Sequence, residues 1–299
     1  MSESESRPLV GLLLACHPGP TVAVTTLVTA LAAGTGRPAR ECALVGAAVL
    51  AGQLSVGWCN DAVDVGRDRA NAKADKPAAV GLVGAGRVER AARIALVACV
   101  PLSYASGFAA GSAHLVGVGA GWAYDLGVKG TPWSWAPYAV GFASLPAFVT
   151  LGLPDRPRPR AAVVAAAALI GCGAHVADVL PDLADDRATG VRGGPHRLGA
   201  RGIRAAAPLP LLAATALLGL ERGRIDRAGR IALTAAGAVT IAGAVLGGRW
   251  PRAPFATAIA VAAIDVASLL ARGNDIAVEA SARPRWGNAR RSGLARVVL

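Results

Sequence analysis

Asn60-Asp61-Ala62-Val63-Asp64-Val65-Gly66-Arg67-Asp68 closes an apolar run that begins near residue 41. On a helix, Asp61, Asp64 and Asp68 share one face, and Asn60, Asp64 and Asp68 stack at successive turns. Carboxylates stacked in this way repel one another unless a cation lies between them. A second acidic run, Asp178-Val179-Leu180-Pro181-Asp182-Leu183-Ala184-Asp185-Asp186, closes another apolar stretch. Asp178, Asp182 and Asp186 again recur at turn spacing. Two such faces opposed would hold hard divalent cations through oxygen, magnesium above all, each keeping waters and taking oxygens from a diphosphate. The plainer alternative is a solvated acidic helix end paired with loop arginines. It suits one cluster better than two, set at matched ends of apolar segments in a chain with only 19 acidic residues.

The rest of the chain supplies a membrane context. Hydrophobic residues make up 54% of it and the mean hydropathy is +0.46, well above a soluble domain. Aromatic residues are only 4%, and Ala, Val, Leu and Gly dominate, which lets helix backbones approach closely. Crossing ~30 Å of hydrocarbon takes about 20 apolar residues. Nine segments qualify, near 9–33, 41–60, 91–109, 112–126, 134–152, 161–181, 205–220, 229–247 and 254–271. The expected fold is therefore all-α, a polytopic bundle of about nine transmembrane helices around a central cavity. Residues 1–272 form the membrane domain, and residues 273–299 an Arg-rich, flexible tail. The net charge of +12 sits in short loops between apolar runs, which suits lipid head groups and a phosphorylated substrate and excludes nucleic acid as the partner. Lys and Arg are more numerous on the side that carries both acidic clusters, so those loops are expected to face the cytoplasm of a bacterial cell membrane. The five cysteines form no CxxC pair and read as small buried hydrophobes. The short polar N-terminus lacks a basic n-region and cleavage site, so no signal peptide is expected to be removed.

The first cluster resembles the N-D-x-x-D-x-x-x-D motif of UbiA-type intramembrane prenyltransferases, and the second resembles their D-x-x-x-D motif. Lys76-Pro77 is similar to the K-P element of that family, although Ala78-Ala79 stands where Arg-Pro usually follows. Tyr124-Asp125-Leu126-Gly127-Val128-Lys129 is similar to its Tyr/Lys motif. The resemblance covers nearly the whole chain apart from the tail. It implies that Asn60, Asp61, Asp64 and Asp68 bind one Mg2+ and, through it, an isoprenyl diphosphate. Asp178, Asp182 and Asp186 would act from the other side. Lys129 would neutralise the leaving diphosphate and Tyr124 would help hold it. Arg69, Lys73 and Lys76 are implied as further phosphate contacts. Pro181 lies inside the second motif, so it kinks the helix or marks its end.

The implied chemistry is electrophilic alkylation: diphosphate leaves, and a small, aromatic acceptor attacks the allylic cation inside the membrane. His17, Gln53 and Ser55 are candidates to line the cavity. Thr189–Arg197 is either a plain turn or a cap over the diphosphate with Arg192 and Arg197 as anion partners. Asp265, inside the ninth segment, reads as a packing or pairing residue. Two rivals remain at this point: a non-catalytic isoprenoid-binding protein that keeps these ligands, and a transporter. A transporter would place its acids near mid-bilayer, whereas these lie at span ends.

Overall fold

The structure, a computed structural model, describes residues 3–221, 224–273 and 276–277. Within them the regular secondary structure is helical, with two short 3-10 turns, apart from one hairpin that pairs Leu220–Glu221 with Arg224–Ile225 and one isolated bridge. The helices are α1 (Glu3–Ala15), α2 (Pro18–Gly34), α3 (Ala39–Ala70), α4 (Ala85–Tyr104), α5 (Phe108–Asp125) and α6 (Trp135–Leu151). They continue with α7 (Ala161–Ala188), α8 (Gly199–Ala206), α9 (Pro208–Gly219), α10 (Arg227–Leu246) and α11 (Ala253–Ala271). All nine predicted segments fall on these helices.

Packing orders six helices into a ring. α2 packs on α3, α3 on α5, α5 on α6, α6 on α7, α7 on α11, and α11 returns to α2. α4 lies outside against α3 and α5, while α9 and α10 lie outside against α7 and α11. The outer faces of α4 and α10 present Ile94, Val97, Ile241 and Val245 to the surroundings, as lipid-facing helices do. Small residues permit the close packing. A Cβ on Gly57 of α3 would stand 2.5 Å from the Cys16 carbonyl oxygen, a backbone atom that cannot yield. Gly57→Ala is therefore expected to cost about 1–3 kcal/mol of stability through overpacking. Gly66→Ala, on the same helix with open space around it, is expected to be neutral or stabilising. Thermal unfolding of the two variants in one detergent tests this.

Several boundaries differ from the sequence expectation. The first apolar segment is two helices bent by 60°, with His17 between them in the left-handed region at φ 54°. Pro18 disfavours helical geometry in the residue before it, which places the break. The third and fourth segments form a hairpin that turns at residues 105–107, so Ala110 and Gly111, between the two expected segments, lie inside the first turn of α5. α3 and α7 run past the ends of their apolar runs, to Ala70 and Ala188. α7 passes through Pro181 without ending. At 32 and 28 residues these are the two longest helices, about 48 and 42 Å at 1.5 Å per residue, well over the ~30 Å of hydrocarbon. Their last turns can thus stand clear of the apolar layer, and those turns carry the acids.

Among the described residues four helices, α3, α7, α10 and α11, are long and apolar enough to cross a membrane singly. The number rises to six if the bent pairs α1–α2 and α8–α9 each make one span. Length and composition alone thus do not carry the expected count of nine. α6 has 17 residues, and α4 opens with Arg87, Glu89, Arg90 and Arg93. Most of the expected tail lies outside the described residues, but its start is anchored: Ile276 is buried, and Ala277 pairs with Pro159.

Candidate active site

The ring encloses a cavity of about 740 Å³. Its walls come from the α1–α2 break, α2, α3, α5, α6, α7 and α11, and its mouth from the loops after α3, α5 and α7. Asn60, Asp61, Asp64 and Asp68 line it from the last turns of α3, and Asp178, Asp182 and Asp186 from those of α7. The two clusters, more than a hundred residues apart in sequence, open on the same space. α3 presents Asp61, Asp64 and Asp68 inward, and all three are buried. Tyr124, Lys73, Lys76 and Lys129 line the cavity as well.

Each of the three lysines of the chain pairs with an acid at the mouth. Lys129, on the 3-10 turn Val128–Gly130, pairs with Asp64, which also meets Arg67 at 2.5 Å. Lys76 donates to Asp61 at 3.0 Å and lies 3.3 Å from His17 Nε2. Lys73 pairs with Asp182 and, at 3.3 Å, with Asp185, so the α3–α4 loop ties one acidic helix to the other. Burial works against the Lys76 ammonium, but the Asp61, Asp68 and Asp182 carboxylates outweigh it and hold its pKa above the ordinary value. Lys73 is likewise lifted: burial opposes its charge, and Asp182 and Asp185 more than offset this. Both remain cationic at neutral pH.

Other polar groups complete the site. Asn60 Nδ2 donates to Asp125 Oδ1 at 3.0 Å, and the Tyr138 hydroxyl donates to Asp178 Oδ2 at 2.7 Å. Tyr124 packs edge-on against Tyr138 and His175. His196 Nε2 lies 3.0 Å from Asp186 Oδ2, and Arg187 donates to the His196 carbonyl. The Gly194 amide donates to Ser134 Oγ at 3.0 Å, which fastens this turn to the α5–α6 loop. The stretch 189–197 therefore reaches the cavity, through Val191 and His196.

Three expected phosphate contacts stand elsewhere. Arg192 and Arg197 are exposed and outside the cavity lining. Arg69 donates to the Ala78 and Ala79 carbonyls, both at 3.4 Å, and so pins the α3–α4 loop. Ser55 is also absent from the lining. It donates to the Gly52 carbonyl and accepts from Trp122 Nε1, whereas His17 and Gln53 do face the cavity. Asp265 is buried in α11 outside the lining. Asp125, Tyr138 and His196 were not singled out from sequence. Of these only Asp125 had a local signal, as the neighbour of Tyr124.

The donor set suits a hard divalent cation. Asp61 Oδ2, Asp68 Oδ2 and Asp125 Oδ2 are buried with no hydrogen-bond partner among the described residues. Carboxylates lining the cavity outnumber Lys and Arg by eight to five, a local surplus of negative charge in a protein of net charge +12. No three His, Cys, Asp or Glu side chains among the described residues converge tightly enough to enclose an ion unaided.

Residues 22–283 match the sequence model of the UbiA prenyltransferase family. The chain belongs to that family. A UbiA homologue from Aeropyrum pernix K1, solved in its apo form, superposes with a TM-score of 0.65 at 20% identity, covering 85% of this chain and 98% of that one. A UbiA homologue from Archaeoglobus fulgidus bound to GPP and Mg2+ superposes with a TM-score of 0.64 at 15% identity, covering 89% and 100%. A digeranylgeranylglyceryl phosphate synthase gives 0.61 at 16%, covering 90% and 99%. At these identities the likeness establishes a common fold. A search of curated protein sequences finds no match. The acidic motifs of this UbiA family member thus lie on its two longest helices, at one end of the shared cavity.

Proposed function

We propose that the protein transfers an isoprenyl group from an allylic isoprenyl diphosphate to an acceptor inside the membrane, with Mg2+ as cofactor. The observation that carries this reading is the opening of both acidic clusters on one cavity whose remaining walls are mainly apolar. Asn60, Asp61, Asp64 and Asp68 on one side, and Asp178, Asp182 and Asp186 on the other, would hold the metal. Bound there, Mg2+ supplies the charge neutralisation that lets an anionic diphosphate enter an acid-rich mouth and leave as a stable anion. Lys129, Lys73 and Lys76 supply fixed cations around the same group. Tyr124 and Tyr138 wall the space beneath it. Val24, Leu27, Val56, Phe142, Leu145 and Ile170 surround the isoprenoid and exclude water from the allylic cation. The GPP-bound relative supports this class of donor. We favour a small aromatic acceptor and a nine-span arrangement in the cell membrane with the acidic mouth at the cytoplasmic side.

The test is purified protein incubated with Mg2+, labelled isoprenyl diphosphates of graded length and a panel of acceptors. Prenylated product is the expected outcome. Diphosphate binding without transfer to any acceptor would favour the binding-protein alternative. EDTA in excess is expected to abolish transfer and to lower diphosphate affinity at least about tenfold, with Mg2+ or Mn2+ restoring both. Equal affinity with and without chelator would remove the metal from the mechanism.

A further inference from the structure

The floor of the cavity carries a histidine that diphosphate binding does not use. His114 on α5 lies three turns below Asp125, about 16 Å along the helix. It is 3% exposed and lines the cavity. Its Nδ1 is 2.8 Å from Ser103 Oγ. The Ser103 hydroxyl donates at 2.6 Å to the carbonyl of Cys99, one turn back on α4. The hydroxyl proton is thereby committed, so the Ser103 oxygen accepts and His114 carries its proton on Nδ1. Nε2 is left as a bare acceptor without a protein partner among the described residues. The ring cannot swing away. Phe148 stacks on it with centroids 4.5 Å apart, and a Cβ at Gly52 would lie 3.3 Å from its Nε2 edge. Gln53, the next residue on α3, also lines the cavity, and its side chain makes no hydrogen bond with a described residue.

A hydrocarbon tail alone has no use for a fixed acceptor nitrogen, and burying that nitrogen against methyl groups is unfavourable. We propose that His114 Nε2 is a specificity site for the acceptor, taking a hydrogen bond from a hydroxyl or N–H at the end remote from the nucleophilic atom. Gln53 lies beside it to pair with a second polar atom. The acceptor then spans from the floor to the reacting carbon beneath the diphosphate. This rests on the transfer reading for its role in catalysis, but the binding site itself does not need turnover to be detected.

The protein has four histidines, so 15N-histidine NMR of the full chain in detergent can be assigned by substitution. The probes are phenol, which donates a hydrogen bond, and methoxybenzene, which cannot. The expected wild-type spectrum has His114 protonated on Nδ1 and an unprotonated Nε2 that moves upfield with phenol and not with methoxybenzene. A protonated Nε2, or an equal response to both probes, overturns the proposal. In turnover, His114→Phe keeps the stacked ring and removes the nitrogen. It is expected to raise the acceptor KM about tenfold, the scale of one hydrogen bond. The donor KM should stay within about twofold, and discrimination against the O-methylated acceptor should be lost. A rise in donor KM instead assigns the floor to the isoprenoid tail and sinks the idea. If no acceptor is turned over, the transfer reading fails, and the phenol titration still decides the site.

Discussion

Asp61→Asn and Asp182→Asn are each expected to lower turnover about 1,000-fold, some 4 kcal/mol of transition-state stabilisation, while the folded fraction stays unchanged. Both side chains line the cavity, from opposite helices. Asparagine keeps the shape and removes the charge. The fold should tolerate this for different reasons at the two sites. Asp182 is about half exposed, so its loss leaves little buried. Asp61 is buried, but its partner Lys76 also has Asp68 and Asp182 close enough to favour its charge. The double variant is the sharper measurement. Groups that hold one ligand together lose most of their effect with the first removal, so it should be little worse than either single change. Independent, additive losses would mean that the clusters do not share one metal–diphosphate assembly. Circular dichroism and size-exclusion profiles check the fold, and single-turnover rates check the chemistry.

The sequence made the acidic clusters legible because turn spacing is a local property, and α3 does place Asp61, Asp64 and Asp68 on one inner face. Helix ends were less legible. The apolar runs stop near Asn60 and Pro181, whereas the backbone continues helical to Ala70 and Ala188. Near those ends Asp61 and Asp64 pair with Lys76 and Lys129, and Asp182 pairs with Lys73. Side-chain direction in the mouth loops could not be read at all. Arg192 and His196 lie four residues apart in one glycine-rich stretch, yet the histidine faces Asp186 and the arginine faces out. Tyr138 and Asp125 meet the clusters only through the packing of α6 on α7 and of α3 on α5. No local pattern encodes that meeting. The break at His17 was encoded, by Pro18, but a broken helix and a continuous one have the same hydropathy.

Lys129→Met is expected to reduce kcat about 100-fold with a smaller change in donor KM. Lys129 is buried on the short turn between α5 and α6, and its ammonium meets Asp64. A cation there adds little to holding a diphosphate already gripped elsewhere. Its value rises as the carbon–oxygen bond breaks and charge gathers on the departing group, and an interaction stronger in the transition state shows in kcat. Methionine keeps the apolar length of the side chain. Asp64 is not left unpaired, because Arg67 reaches it at 2.5 Å, so the variant should fold. Lys129→Arg keeps the charge but spreads it over a planar fork, and should recover part of the rate. The opposite pattern, a large rise in donor KM with kcat unchanged and equal in both variants, would make Lys129 a ground-state anchor. Bond breaking would then rest on the acidic clusters and the cations of the α3–α4 loop.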